Sequence, residues 1–152
     1  APGQPDKAGW TELCFLDEAT ALAAGHRPCF YCRRERATDF LHRFGIAFGI
    51  EQPRAPMLDK RLHKERLASG GKPPALDAQD LAALPDAAMV ADGGRAYALR
   101  DGAALPWSFA GYGERLGFSA LQGRPLRLLT PPTTLAVLRG GYEPAWHPSA
   151  GA

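Results

Sequence analysis

In the first half of the chain the apolar residues recur with helical spacing. Ala37, Phe40, Leu41, Phe44 and Phe48 fall three and four positions apart, which predicts a helix following Cys32. Gly45 within that run is expected to weaken its end. Ahead of it, Ala19 to Ala24 is a run of strong helix formers, with Asp17 as an N-cap and Gly25 as a stop. Pro53 and Pro56 break the pattern. Met57 to Ala68 then reads as a third helix, ended by Gly70, Gly71, Pro73 and Pro74. Upstream, residues 1–10 are rich in Pro and Gly, and Trp10 to Leu16 reads as a short extended segment.

The period changes in the second half. Asp77 to Leu84 predicts one short turn or helix. Ala87 to Ala91, Arg95 to Arg100 and Ala103 to Phe109 are strand-like, separated by Asp92-Gly93-Gly94 and Asp101-Gly102. Such Asp-Gly steps are hairpin signals, so a three-stranded meander is expected. Tyr112 to Gln122 has no clear period. Leu126 to Leu129 predicts a further strand. Thr130, followed by Pro131 and Pro132, reads as a cap with proline at the first helical position, leading into a helix over Thr133 to Arg139. The expected class is α+β: a helical N-terminal half and a C-terminal β-meander with a short helix. Residues 1–68 and 77–152 form two regions with a loose boundary near 69–76, or one continuous domain.

Composition narrows the function classes. The 152 residues are 45% hydrophobic and 22% charged, ordinary for a globular protein, and no apolar run approaches membrane-spanning length. No membrane partner is expected. Ala1 to Asp6 has neither the basic nor the apolar region of a signal peptide. The absence of an initiator methionine suggests processing or further sequence upstream. Three unevenly placed cysteines do not make a disulfide framework, so a reducing cytoplasm is the expected setting. Net charge is only +2, but it is uneven. Arg27, Arg33, Arg34, Arg36 and Arg43 cluster against Glu35 and Asp39, whereas Asp77 to Asp101 holds five aspartates and two arginines.

The candidate chemistry lies in Gly25-His26-Arg27-Pro28-Cys29-Phe30-Tyr31-Cys32. A C-x2-C turn can aim two thiolates at one metal ion, and His26 is close enough in sequence to be a third donor. Cys14, His42 and His63 are further candidates. Three readings stand for the cysteine pair: zinc ligands, idle thiols left from a lost site, or a redox pair at a helix start. Arg27, Arg33, Arg34 and Arg36 around it would suit the phosphates of DNA or RNA. The alternative for them is a solvated helix face, with Arg27 bonded to backbone carbonyls.

The stretch from Cys14 to Cys32 resembles the second half of the Ada-type zinc-binding domain, whose signature is A-G-aromatic-R-P-C-x-x-C. Ala24, Gly25, Arg27, Pro28, Cys29 and Cys32 match it, and His26 stands at the aromatic position. The resemblance implies zinc as cofactor and Cys29 and Cys32 as ligands. It does not imply methyl transfer, because the methyl-accepting thiolate belongs to a first cysteine pair that has no counterpart here. Cys14 falls at an aromatic core position of the family. The whole chain is also similar to bacterial proteins, of no assigned function, that join this motif to a Leu-Thr-Pro-Pro-Thr segment (Leu129 to Thr133) and a His-Pro-Ser end (His147 to Ser149).

Other constellations are thinner. His63 and Glu65 stand at i, i+2 on a predicted helix and face apart. Leu105 to Phe109 and Gly111-Tyr112-Gly113 form an aromatic segment suited to packing or to a pocket wall. Ser108 lacks a nucleophile-elbow context, and Gly70-Gly71-Lys72 lacks phosphate-loop spacing. The leading expectation is a zinc-binding protein with an incomplete Ada-like motif that binds nucleic acid. The rival is an enzyme with a pocket between the halves lined by His63, Glu65 and Trp107. A structural or partner-binding protein is the third.

Overall fold

The computed structural model describes residues 16–31, 33–68 and 72–151. It is an α+β fold. Helices α1 (Glu18–Ala23), α2 (Arg34–Phe48) and α3 (Ala55–Ala68) precede a run of strands, and α4 (Pro132–Arg139) follows it. The strands are β1 (Ala75–Leu76), β2 (Met89–Asp92), β3 (Arg95–Arg100), β4 (Ala103–Ser108), β5 (Gly111–Tyr112), β6 (Leu116–Gly117) and β7 (Leu126–Leu128). All pair antiparallel, in the order β1-β7-β2-β3-β4-β5, with β6 also on β4. The extended reading of residues 10–15 lies outside the described residues.

The meander forms where turn chemistry allows it. Asp101 and Gly102 both take positive φ, 50° and 75°, as the twist-matched two-residue hairpin turn requires. Alternation along β2, β3 and β4 then sorts the side chains. Val90, Tyr97, Leu99 and Ala104 join Leu81, Leu121, Leu126 and Leu135 on one face. Met89, Ala98 and Leu105 join Ala23, Tyr112, Leu129 and Ala150 on the other. A third cluster brings Ala19 and Leu22 of α1, Phe40 and Phe44 of α2, and Leu58 and Leu62 of α3 against Val137 and Leu138 of α4. The N-terminal helices therefore bury their apolar stripes on the C-terminal one, and both sides of residues 69–76 contribute to shared cores.

Three local expectations change. Gly45 does not weaken α2: a Cβ there would lie 2.7 Å from Pro53 and 2.8 Å from the Ile50 carbonyl, so the missing side chain admits the returning chain. The helix stops at Gly49, which adopts the left-handed conformation with φ 67°. Pro56 does not break α3 but sits in its first turn, where a missing N–H costs no helical hydrogen bond. Thr130 does not cap α4. Its hydroxyl accepts from the Met89 N–H at 2.9 Å, and Pro131 takes the cap position without a side-chain bond. Glu65 of α3 supplies the acceptor instead, receiving the Thr133 N–H at 3.1 Å and the Thr133 hydroxyl. The residues 112–122 without clear period form β5, β6 and a 3-10 turn over Phe118–Leu121.

Candidate functional site

Helix α1 is six residues long, too short to persist alone, and is fixed at both ends. At its start Asp17 and Thr20 form a reciprocal capping box, with bonds of 2.9 and 3.0 Å. At its end Gly25 has φ +90°, its N–H donates to the Leu22 carbonyl, and the His26 N–H donates to the Ala21 carbonyl at 3.0 Å. That pair of bonds is a Schellman motif, which throws the chain out of the helix and into the cysteine turn.

The turn is docked on α3. Arg27 forms a two-pronged pair with Asp59 at 2.6 and 3.0 Å, donates to the Pro28 carbonyl, and lies over the Phe30 ring. From α3, Arg66 donates to the Gly25 carbonyl at 2.7 Å. The Arg33 N–H closes the turn on the Cys29 carbonyl at 2.9 Å. Between turn and helix lies a cleft of about 570 Å3 lined by His26, Arg27, Cys29, Asp59, Leu62 and Arg66. Cys29 is exposed at it. The His26 imidazole keeps an open face, yet crowding by protein, and then the Arg66 charge, push its pKa down. The neutral ring that results is the form that ligates metals.

Two of the three donors named from the sequence, His26 and Cys29, thus line one cleft. Cys32 and Cys14 lie outside the described residues. His42 and His63 are exposed on α2 and α3, and neither lines this cleft. Among the described residues no group of three His, Cys, Asp or Glu side chains is placed to hold a metal ion.

The four arginines divide. Arg27 is spent on Asp59. Arg36 donates to both oxygens of Glu18, at 2.7 and 2.8 Å, and to the Glu143 carbonyl. Arg33 reaches Glu18 at 3.3 Å but stays half exposed, and Arg34 is exposed at the start of α2. Tyr31 beside them is 98% exposed. Glu18 itself is nearly buried and also accepts from the Tyr142 hydroxyl. Burial alone would raise its pKa, but hydrogen bonds from Arg36 and Tyr142 and the Arg36 charge outweigh it, so its pKa is lowered. Sequence reading missed Glu18 and Asp59 as acceptors. Its one hint was an acidic residue in the first turn of α1.

The alternative constellation is dispersed. Glu65 is engaged at the start of α4, His63 is exposed, and Trp107 packs on Phe109 with ring centroids 5.0 Å apart. The clefts beside the knuckle, beside Arg115, beside Trp146 and between α2 and α4 are lined by none of them.

A second polar corner had no chemical reading in the sequence. Asp17 accepts the Tyr112 hydroxyl at 2.9 Å and the His147 N–H at 2.8 Å. Burial, then the Asp17 charge, raises the Tyr112 pKa and keeps it a phenol donor. The Tyr112 N–H donates to Ser149 Oγ at 2.7 Å, and Ser149 Oγ lies 2.7 Å from His147 Nδ1. The His-Pro-Ser segment is its visible trace in the chain.

Among the described residues no helix is long and apolar enough to cross a membrane. Comparison with family models, with curated proteins and with solved structures gives no match.

Proposed function

We propose that this chain is a zinc-knuckle protein in which Cys29, Cys32 and His26 hold the metal at the mouth of the cleft against α3, and that the knuckle engages DNA or RNA. The observation that carries the reading is that His26 and Cys29 line one cleft on a turn whose backbone is fixed from both sides. A turn held by a Schellman end and by the Arg27–Asp59 pair loses little further entropy when metal binds. Two thiolates and an imidazole are a donor set that suits zinc and leaves a fourth position for solvent or another ligand. The polymer half of the proposal draws on Tyr31, an exposed aromatic beside Arg33 and Arg34. An exposed ring next to guanidinium groups suits base stacking with phosphate contacts.

The test is metal content of protein purified without chelator, by mass spectrometry, with Cys29→Ser and Cys32→Ser in parallel. Near-stoichiometric zinc that disappears in both variants is the expected result. A wild-type chain that stays metal-free in excess zinc removes the reading. The polymer half is checked by titrating single-stranded DNA and RNA at several salt concentrations. Affinity should fall steeply with salt and drop further in Tyr31→Ala and Arg34→Ala.

A further inference from the structure

The geometry points to Ser149 and His147 as the nucleophile and base of a small acyl-transfer site, acting on carboxylic esters at the cleft beside Arg115. The Ser149 N–H donates to His147 Nδ1 at 3.1 Å, so Nδ1 is unprotonated, and the Ser149 hydroxyl 2.7 Å away must donate to it as well. The same Oγ accepts the Tyr112 N–H at 2.7 Å. One lone pair is thereby fixed on a donor that favours a developing alkoxide, and the proton is aimed at a base. That is the nucleophile–base arrangement of covalent catalysis. Capping the 3-10 turn over Pro148–Ala150 needs only the backbone bond to Nδ1, and the hydroxyl contact adds nothing to it.

The corner is also built to hold this pair. Gly111 has φ 135°, and a Cβ there would lie 2.6 Å from Ser149 Oγ and 3.3 Å from His147 Cε1. Asp17 holds the His147 N–H, and Arg100 holds the Ala150 and Gly151 carbonyls at 3.1 and 3.2 Å. Arg100 in turn lies over the Trp146 ring. Ser149 opens on a cleft of about 380 Å3, lined also by Leu105, Gly113, Glu114 and Arg115. Arg115 is paired at 3.6 Å with Asp101, which lines the same cleft.

In the step itself, Oγ bonds to the ester carbonyl carbon as its proton passes to His147 Nδ1, which thereby gives up the hydrogen bond it accepted from the Ser149 N–H. The tetrahedral adduct expels the alcohol, which takes that proton, and leaves an acyl-serine. Water then attacks the acyl carbon, giving its proton to Nδ1. Collapse releases the carboxylic acid and returns the proton to Oγ.

The experiment uses the whole chain and a fluorophosphonate probe, with the modified residue mapped by peptide mass spectrometry. Labelling on Ser149 is expected, together with release of p-nitrophenol from p-nitrophenyl acetate. His147→Asn keeps a side-chain oxygen for the Ser149 N–H, so the corner should stay folded by thermal melting. Its labelling rate should fall by about 100-fold or more, the contribution of a positioned base. No label on the wild-type chain, a label confined to another residue, or an unchanged rate in His147→Asn overturns the proposal.

Discussion

The two ends of α1 are built in opposite ways, although only a few residues separate them. At the start, Asp17 and Glu18 have their carboxylates filled by Thr20, Tyr112, His147, Arg36 and Tyr142. At the far end Cys29 and Tyr31 are exposed, and the turn's backbone is held by Arg66 and by the Arg27–Asp59 pair. A carboxylate with every oxygen partnered has no capacity left for a ligand, so the first end holds the halves together. At the far end the Cys29 side chain is open to solvent on a backbone held from both sides. Local polarity is therefore alike at the two ends, while the exposure of the side chains differs.

The sharpest way to break this contrast is at Glu18. Glu18→Ala removes the acceptor of two Arg36 bonds and of the Tyr142 hydroxyl. Arg36 is 36% exposed and keeps the Glu143 carbonyl, so the cost is about 1–3 kcal/mol. Urea unfolding should show a midpoint lowered accordingly, whereas Cys29→Ser in metal-free protein should leave it almost unmoved. A Glu18→Ala chain as stable as wild type would remove the first end from the frame. The same pair fixes a pH dependence. The Glu18 pKa is lower folded than unfolded, so its contribution is complete above the unfolded carboxylate range. It is lost as pH falls through the folded value. The acid limb of the stability curve should shrink in Glu18→Gln.

This contrast explains what the sequence could show. The meander was legible because Asp101-Gly102 encodes its own turn, and α1 because Asp17 and Gly25 cap it within four residues of their partners. The exit of the chain from α1 at Gly25 was legible for the same local reason. The partners of Glu18, Asp17 and Glu65 were not, since Arg36, Tyr112 and Thr133 lie 18, 95 and 68 residues away. Gly45 and Thr130 were misread because their neighbours, Pro53 and Met89, arrive only with tertiary packing. The arginines near Cys29 look alike in the chain and divide only when Asp59 and Glu18 claim two of them.

A smaller effect is expected at the seam between the ends. Gly25→Ala forces a side chain onto a backbone with φ +90° and places its Cβ 2.9 Å from Arg66 Cδ. The conformational part alone costs about 1 kcal/mol. If Gly25 positions the knuckle, zinc affinity should fall together with stability. A variant that loses stability but keeps its affinity for zinc would show that the knuckle does not depend on how α1 ends.

The smallest change in stability is expected at Arg34, where the contrast makes its most discriminating claim. Arg34 is exposed on the first turn of α2, so Arg34→Ala should shift the melting free energy by less than about 0.5 kcal/mol. Arg36→Ala, two positions along the same helix but tied to Glu18, should cost several times that. In nucleic-acid binding the order reverses. Arg34→Ala should weaken affinity and reduce its salt slope by about one ion released, because a guanidinium not committed internally is the one that meets a phosphate. Equal losses of binding in a refolded Arg36→Ala chain would mean that the guanidinium facing Glu18 also meets the polymer. Internal pairing would then have failed as the criterion that separates the frame from the surface it carries.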